Sequence, residues 1–292
     1  MNQLEEILKI ASEENSFDKE KWVQEKKQER ELVNTLLSEG AEEILKSPES
    51  YRALLDVAAR HPGHAATNLM LIARQCPDAT ELRDFGSWKR MGAYVRRDAE
   101  PVYLFAPGKP YEREDGKTAQ GYNVVRRYDI SQTNAQPRHA AVQPDAAALL
   151  RALIADRPVE IEVTGDLPAG SGAFYAPNGE NGPVIYAEKG MTAETAFRAL
   201  AREFAHAELD FSHPDYSRMI YDDAARDAAY ILCRRYAQEP EDVCPVLSPA
   251  RGLSDEGLRH YLTQVRSAAN ALSGRMQEHL SRTAPQRKGE AR

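Results

Sequence analysis

Between residues 158 and 209 the apolar residues change period, and that change limits what the chain can fold into. In PVEIEVT, 158–164, Val159, Ile161 and Val163 alternate with Glu160 and Glu162, the pattern of a strand with one buried face. GAFYAP and PVIYAE then flank the turn residues NGENG, which predicts a hairpin. From Thr192 the period becomes that of a helix running through Leu209, with Phe197, Leu200, Ala201 and Phe204 on one stripe. His206 falls nearly opposite that stripe, with Arg202 beside it. Both are therefore expected at the surface, facing solvent or paired with Glu203 or a neighbouring acid, and Arg202→Ala is expected to be nearly neutral for stability.

The rest of the chain fits an α+β fold. Residues 2–45 are Glu/Lys-rich, with Leu4, Ile7 and Leu8 and then Leu32, Leu36 and Leu37 at helical spacing and a break at 15–18. They predict two helices with charged faces, or else a solvated arm. Ser47, Pro48 and Glu49 form a helix start, and His61-Pro62-Gly63 ends that helix. A further helix spans 65–75 and carries Asn68 and Gln75, each able to touch a ligand or to bridge buried backbone. Strands are expected at 102–105 and 122–130, the second with Tyr122, Val124, Arg126 and Tyr128 on one face. Residues 132–144 are polar, hold two prolines and predict a linker. Helices follow at 146–155 and 251–276, and the tail from Ser281 is polar. The expected organisation is an arm (1–46), a first domain (47–137), a second (138–280) and the tail (281–292).

Composition excludes several classes. No run of about 18 apolar residues exists, so no membrane partner is expected. The acidic N-terminus is unlike a signal peptide. The cysteines, Cys76, Cys233 and Cys244, are odd in number and lack metal spacing, which points to a reducing cytoplasm. The net charge of −7 is uneven. Residues 50–138 carry 14 basic against 10 acidic groups, whereas 1–49 carry 7 against 13 and 139–292 carry 17 against 22.

Within the basic part, Lys89/Arg90, Arg96/Arg97 and Arg126/Arg127 are adjacent pairs. Aromatic residues lie between them at Trp88, Tyr94, Tyr103, Phe105, Tyr122 and Tyr128. Cations for phosphates and flat faces for bases are what single-stranded DNA requires. The pattern also suits a small β-rich core with a solvated basic rim. The blocks HAATNLMLIARQCPDATELRDFGSWKRMGAYV and YDISQT resemble the N-terminal domain of the ArdC antirestriction family, in particular its LtrC-like branch on conjugative elements. The resemblance covers roughly 60–135 and departs from the family at Asp98-Ala99-Glu100. It implies a partner, single-stranded DNA, met by Trp88, Lys89, Arg90, Arg96, Arg97, Tyr103, Tyr122, Arg126, Arg127 and Tyr128.

ArdC proteins carry a zinc metallopeptidase domain behind that part, and the strand–hairpin–helix layout is similar to it. The chemistry needs HExxH, two histidines on one zinc with a glutamate to activate its water. Here the five residues are Arg202-Glu203-Phe204-Ala205-His206. Arginine offers no lone pair. The acid expected from the next helix falls at Ala224 or Arg226, with Asp222, Asp223 and Asp227 displaced around the helix. His213 and Cys233 do not complete a set. Arg202, Glu203 and His206 are thus vestigial positions, no cofactor is expected, and no peptide hydrolysis. The alternatives are an active zinc protease with unusual ligands and a protein-interaction module that contacts a regulator.

Overall fold

The computed structural model describes residues 19–136, 143–168, 172–240 and 253–283. The helix expected over 2–14, residues 137–142 of the linker and the tail beyond 283 lie outside the described residues. The chain is α+β. Helix α1 (Lys19–Lys46) is followed by α2 (Pro48–Arg60) and α3 (Ala66–Gln75). Val33, Leu37, Ala41 and Ile44 recur every three or four residues along α1 and are buried, so this part of the expected arm belongs to the core. The start of α2 is as the sequence requires: Pro48 opens it, and the Ser47 side chain accepts from the Ser50 N–H at 3.1 Å.

Three short sheets follow the period-two segments. The first runs β1 (Leu82–Arg83), β5 (Tyr122–Asp129), β2 (Val102–Pro107), all antiparallel, with helix α4 (Phe85–Arg90) between β1 and β2 in sequence. β3 (Tyr111–Glu112) and β4 (Thr118–Ala119) form a separate ribbon. After helix α5 (Ala146–Ala155), strands β6 (Glu160–Thr164), β8 (Gly182–Glu188) and β7 (Ala173–Gly179) make the third sheet. Its hairpin β7–β8 is antiparallel, while β6 runs parallel to β8 on its other side. A side chain at Gly179 would meet the Gly182 carbonyl, so only glycine closes this turn. Val159 is buried as expected, but Val163 is 69 % exposed because β6 is an edge strand and its last residues outrun the cover.

Helices α6 (Ala193–Ser212), α7 (Arg218–Arg235) and α8 (Asp255–Thr283) complete the chain. α2 packs on α7 and α3 on α8, so one apolar core continues from Val33 to Met276. α6 is covered by β7, α5, α7 and α8. It buries Glu203 and His206 as well as the Phe197–Phe204 stripe, which corrects the expected surface location of His206, while Arg202 is half-buried. The reason is the alanine set. Ala201, Ala205 and Ala207 on α6, with Ala224, Ala225 and Ala228 on α7, are buried and leave room for close helix approach.

Asn68 and Gln75 are seven residues apart and so share one face of α3. Their amides pair with alternate residues of β2. Asn68 accepts from the Phe105 N–H and donates to its carbonyl (2.9 and 2.8 Å), and Gln75 does the same at Tyr103 (2.9 and 3.0 Å). Of the two roles open for these residues, bridging backbone is the one observed. The two amides replace a neighbouring strand along an edge that would otherwise be unpaired. Gln75→Leu is expected to lower stability by about 1–3 kcal/mol, read as a shift of the urea midpoint.

Candidate nucleic-acid interface and a buried charged cluster

The YDISQT and DFGSWK blocks turn out to be structural pins. Asp129, almost fully buried, accepts from the N–H groups of Thr80, Glu81 and Ser131 at 2.7–2.9 Å. In return the Gln132 Oε1 accepts from the Asp129 N–H. Burial pushes the Asp129 carboxyl up, and the hydrogen bonds from Ser131, Glu81 and Thr80 outweigh it and hold the carboxyl below its usual range. Asp84 caps α4, and the Trp88 indole N–H donates to the Tyr128 carbonyl at 2.9 Å. Trp88 is 0 % exposed. It cannot stack on a base, and the expectation that it does is corrected: its ring anchors α4 to β5 with Ala93 and Ile130.

The remaining predicted contacts divide. Lys89, Arg90, Arg96 and Arg97 are exposed. Arg126 lies over the Tyr103 ring and forms an ion pair with Glu29 of α1, so its charge is already met and Tyr103 is half-buried beneath it. Tyr128 is half-buried with the Trp88 cluster. Tyr122, 51 % exposed, and Arg127 reach an open cleft of about 870 Å³ between α1, the start of α3 and the β2–β5 ribbon. Arg30, His64 and Phe105 also line it. Arg30 donates to the Tyr122 carbonyl at 2.7 Å. Burial, then the neighbouring His61, Arg127 and Arg266, hold the His64 pKa below the usual histidine range. The hydrogen bonds from Ser87, with a smaller contribution from the charges of Arg127 and Arg90, hold the Asp84 carboxyl below its usual range. The sequence reading missed Arg30 and His64. Arg30 sits in an acidic helix, and nothing local says that this helix lies against β5.

The second site is built by α6, α7 and β7. Glu203 accepts a two-pronged contact from Arg218 (2.6 and 2.9 Å) and one from the Tyr175 backbone N–H at 2.7 Å. Arg218 in turn stacks over Phe174 at 4.5 Å. Arg202 donates to Asp222 Oδ1 at 2.6 Å, His206 Nε2 donates to the same oxygen at 3.3 Å, and Arg226 meets Oδ2 at 3.1 Å. The Tyr216 hydroxyl holds His206 Nδ1 at 2.9 Å. The hydrogen bond from His206 and the guanidinium of Arg202 hold the Asp222 carboxyl far below the usual carboxylate range. Burial keeps His206 neutral. Two expectations are corrected here. Asp222 is not displaced but faces positions 202 and 206, since the register of α7 is set by its packing on α6. Arg202 is not idle, since it holds Asp222.

Asp227 points the other way. It is fully buried between α2 and α8, where the hydroxyls of Tyr51 and Tyr261 donate to one of its oxygens. Burial pushes its pKa up to about 7 against those hydrogen bonds.

The second half is thus an α+β frame with a mixed sheet, an R-E-x-x-H helix and an acid on the following helix. Solved structures similar to the chain include two crystal structures of the antirestriction protein ArdC from plasmid R388. The metal-free one has 17 % identity, a TM-score of 0.57 and coverage of 83 % of this chain and 98 % of its own. The Mn(II)-bound one has 18 % identity, a TM-score of 0.55 and coverage of 78 % and 96 %. The chain thus has an ArdC-like fold. Its sequence matches no protein-family model and no curated protein.

The residues of the α6–α7 cluster do not fit a metal ion such as the Mn(II) of the second structure. Among the described residues no three His, Cys, Asp or Glu side chains come together as a ligand set. Position 202 is a cation, and both nitrogens of His206 and both oxygens of Glu203 already have partners. No helix among the described residues is long and apolar enough to cross a membrane.

Two outcomes follow. Arg218→Met strands a buried carboxylate and is expected to cost about 3–5 kcal/mol. Adding Glu203→Gln should recover most of that loss in chemical denaturation. Asp227 keeps its proton to about pH 7 when folded but loses it near pH ~3.9 when unfolded. The folded state therefore binds the extra proton in that window, and this contribution to stability falls as pH rises from about 4 to about 7. Asp227→Asn should flatten that part of the profile, checked by urea midpoints across the window.

Proposed function

We propose that this chain binds single-stranded DNA without strong sequence preference and serves a mobile genetic element, in antirestriction or in handling DNA during transfer. Its second half keeps a metallopeptidase-like frame that cleaves no peptide bond. The observation that carries the reading is the cleft, where Arg30 and Arg127 flank Phe105 and Tyr122 on a rigid ribbon. Cations at its walls suit phosphates, and open ring faces suit unpaired bases. The exposed pairs Lys89/Arg90 and Arg96/Arg97 offer further cations outside the cleft. The likeness to an antirestriction protein of a plasmid supports the biological setting. Against hydrolysis stands Glu203, whose oxygens are taken by Arg218 and by the Tyr175 backbone, so it is not placed to accept a proton from water.

Fluorescence anisotropy with labelled oligonucleotides tests the DNA reading. The logarithm of the affinity should fall with the logarithm of salt by about 0.7 for each phosphate neutralised. Arg127→Glu should weaken binding to all single strands alike, and Tyr122→Ala should cost about 1–3 kcal/mol without altering the salt slope. Full affinity in both folded variants would remove the cleft from the site.

A further inference from the structure

Arg202, His206 and Asp222 meet at one point. Positions 202 and 206 lie one turn apart on the same face of α6. Arg202 Nη2 and His206 Nε2 both donate to Asp222 Oδ1, at 2.6 and 3.3 Å. Two ligands about 2.1 Å from a tetrahedral ion lie about 3.4 Å apart, so the His206–Asp222 spacing is already that of two ligands on one ion. The Tyr216 hydroxyl fixes His206 through its other nitrogen, as the partners of metal-bound histidines do. Asp222 Oδ2 is held by Arg226. Arg202 Nε is buried with no partner, so this side chain is held through its terminal nitrogen on Asp222.

We propose that Arg202 is a built-in replacement for a metal ion: its guanidinium supplies the positive charge that His206 and Asp222 are arranged to surround. The two helices are thereby tied together without dependence on metal supply. The site is a latent metal centre closed by one residue, and Arg202→His would reopen it, with the introduced imidazole joining His206 and Asp222 as the third ligand.

The test uses the full chain with MnCl2 or ZnCl2 as the only probe, read by isothermal titration and thermal unfolding. Wild type should take up no stoichiometric metal, and its Tm should not respond to metal or chelator. R202H should bind one equivalent, with a Tm that rises on metal addition and falls back with chelator. R202H/D222N, which loses one of the three ligands, should bind clearly more weakly than R202H. A variant that folds only when metal is added supports the proposal equally. In metal-free buffer, R202A should lose roughly 3–10 °C of Tm, with R202K retaining more. Stoichiometric metal in wild type, a folded R202H that binds none, or an R202A as stable as wild type would each overturn it.

Discussion

A carboxylate in an apolar core has to be neutralised or matched by a fixed cation, and the arrangement of the second half follows from that constraint. Glu203 is almost completely buried at the centre of α6. Desolvating such a group costs several kcal/mol unless geometry and hydrogen bonds offset it. Arg218 provides the match from the first residue of α7, and the β7 backbone provides a further donor. Those contacts fix where α7 begins relative to α6, and this register turns Asp222 toward Arg202 and His206. A helix that carries Glu, Arg and His at its core-facing centre thus remains folded because each charge has a partner.

The first half solves a different problem, the unpaired edge of a small sheet. β2 has β5 on one side only. Asn68 and Gln75 complete the other side from a helix, which keeps the ribbon flat against α3. Asp129 and Trp88 fasten its far end. Several residues in blocks that resemble a DNA-binding domain hold this ribbon in place and are not on its surface. Rigidity and the proposed binding are separate duties here. Trp88, Asp129, Asn68 and Gln75 provide the first, while exposed Tyr122 and half-exposed Arg127 are open to the second. The Arg126–Glu29 pair adds a link from α1 across the ribbon, and that link brings Arg30 to the cleft.

The same core joins the two halves. Tyr51 of α2 and Tyr261 of α8 close on Asp227 of α7, so a polar contact made by residues far apart in sequence sits where three helices meet. An isolated buried carboxylate would be ionised only at high cost. The two phenols and the raised pKa are two responses to that cost.

By itself the sequence determined the local elements, because period and capping are local properties. The helix at 146–155, the hairpin between GAFYAP and PVIYAE and the Ser47 cap all follow from neighbouring residues. Only the tertiary structure decided which side of each element is buried. A single apolar stripe on α6 says nothing of a second helix whose alanines allow it onto the opposite face, so Glu203 and His206 went inside. Asp222 entered the site because packing, not counting along the chain, sets the rotation of α7. Trp88 left the candidate interface because a partner for its indole lay forty residues away. Arg30 joined the cleft for the matching reason, since its role depends on a strand ninety-two residues downstream. Interactions at such separations leave no periodic trace in the sequence, and they are what turned an ArdC-like set of motifs into this particular pair of sites.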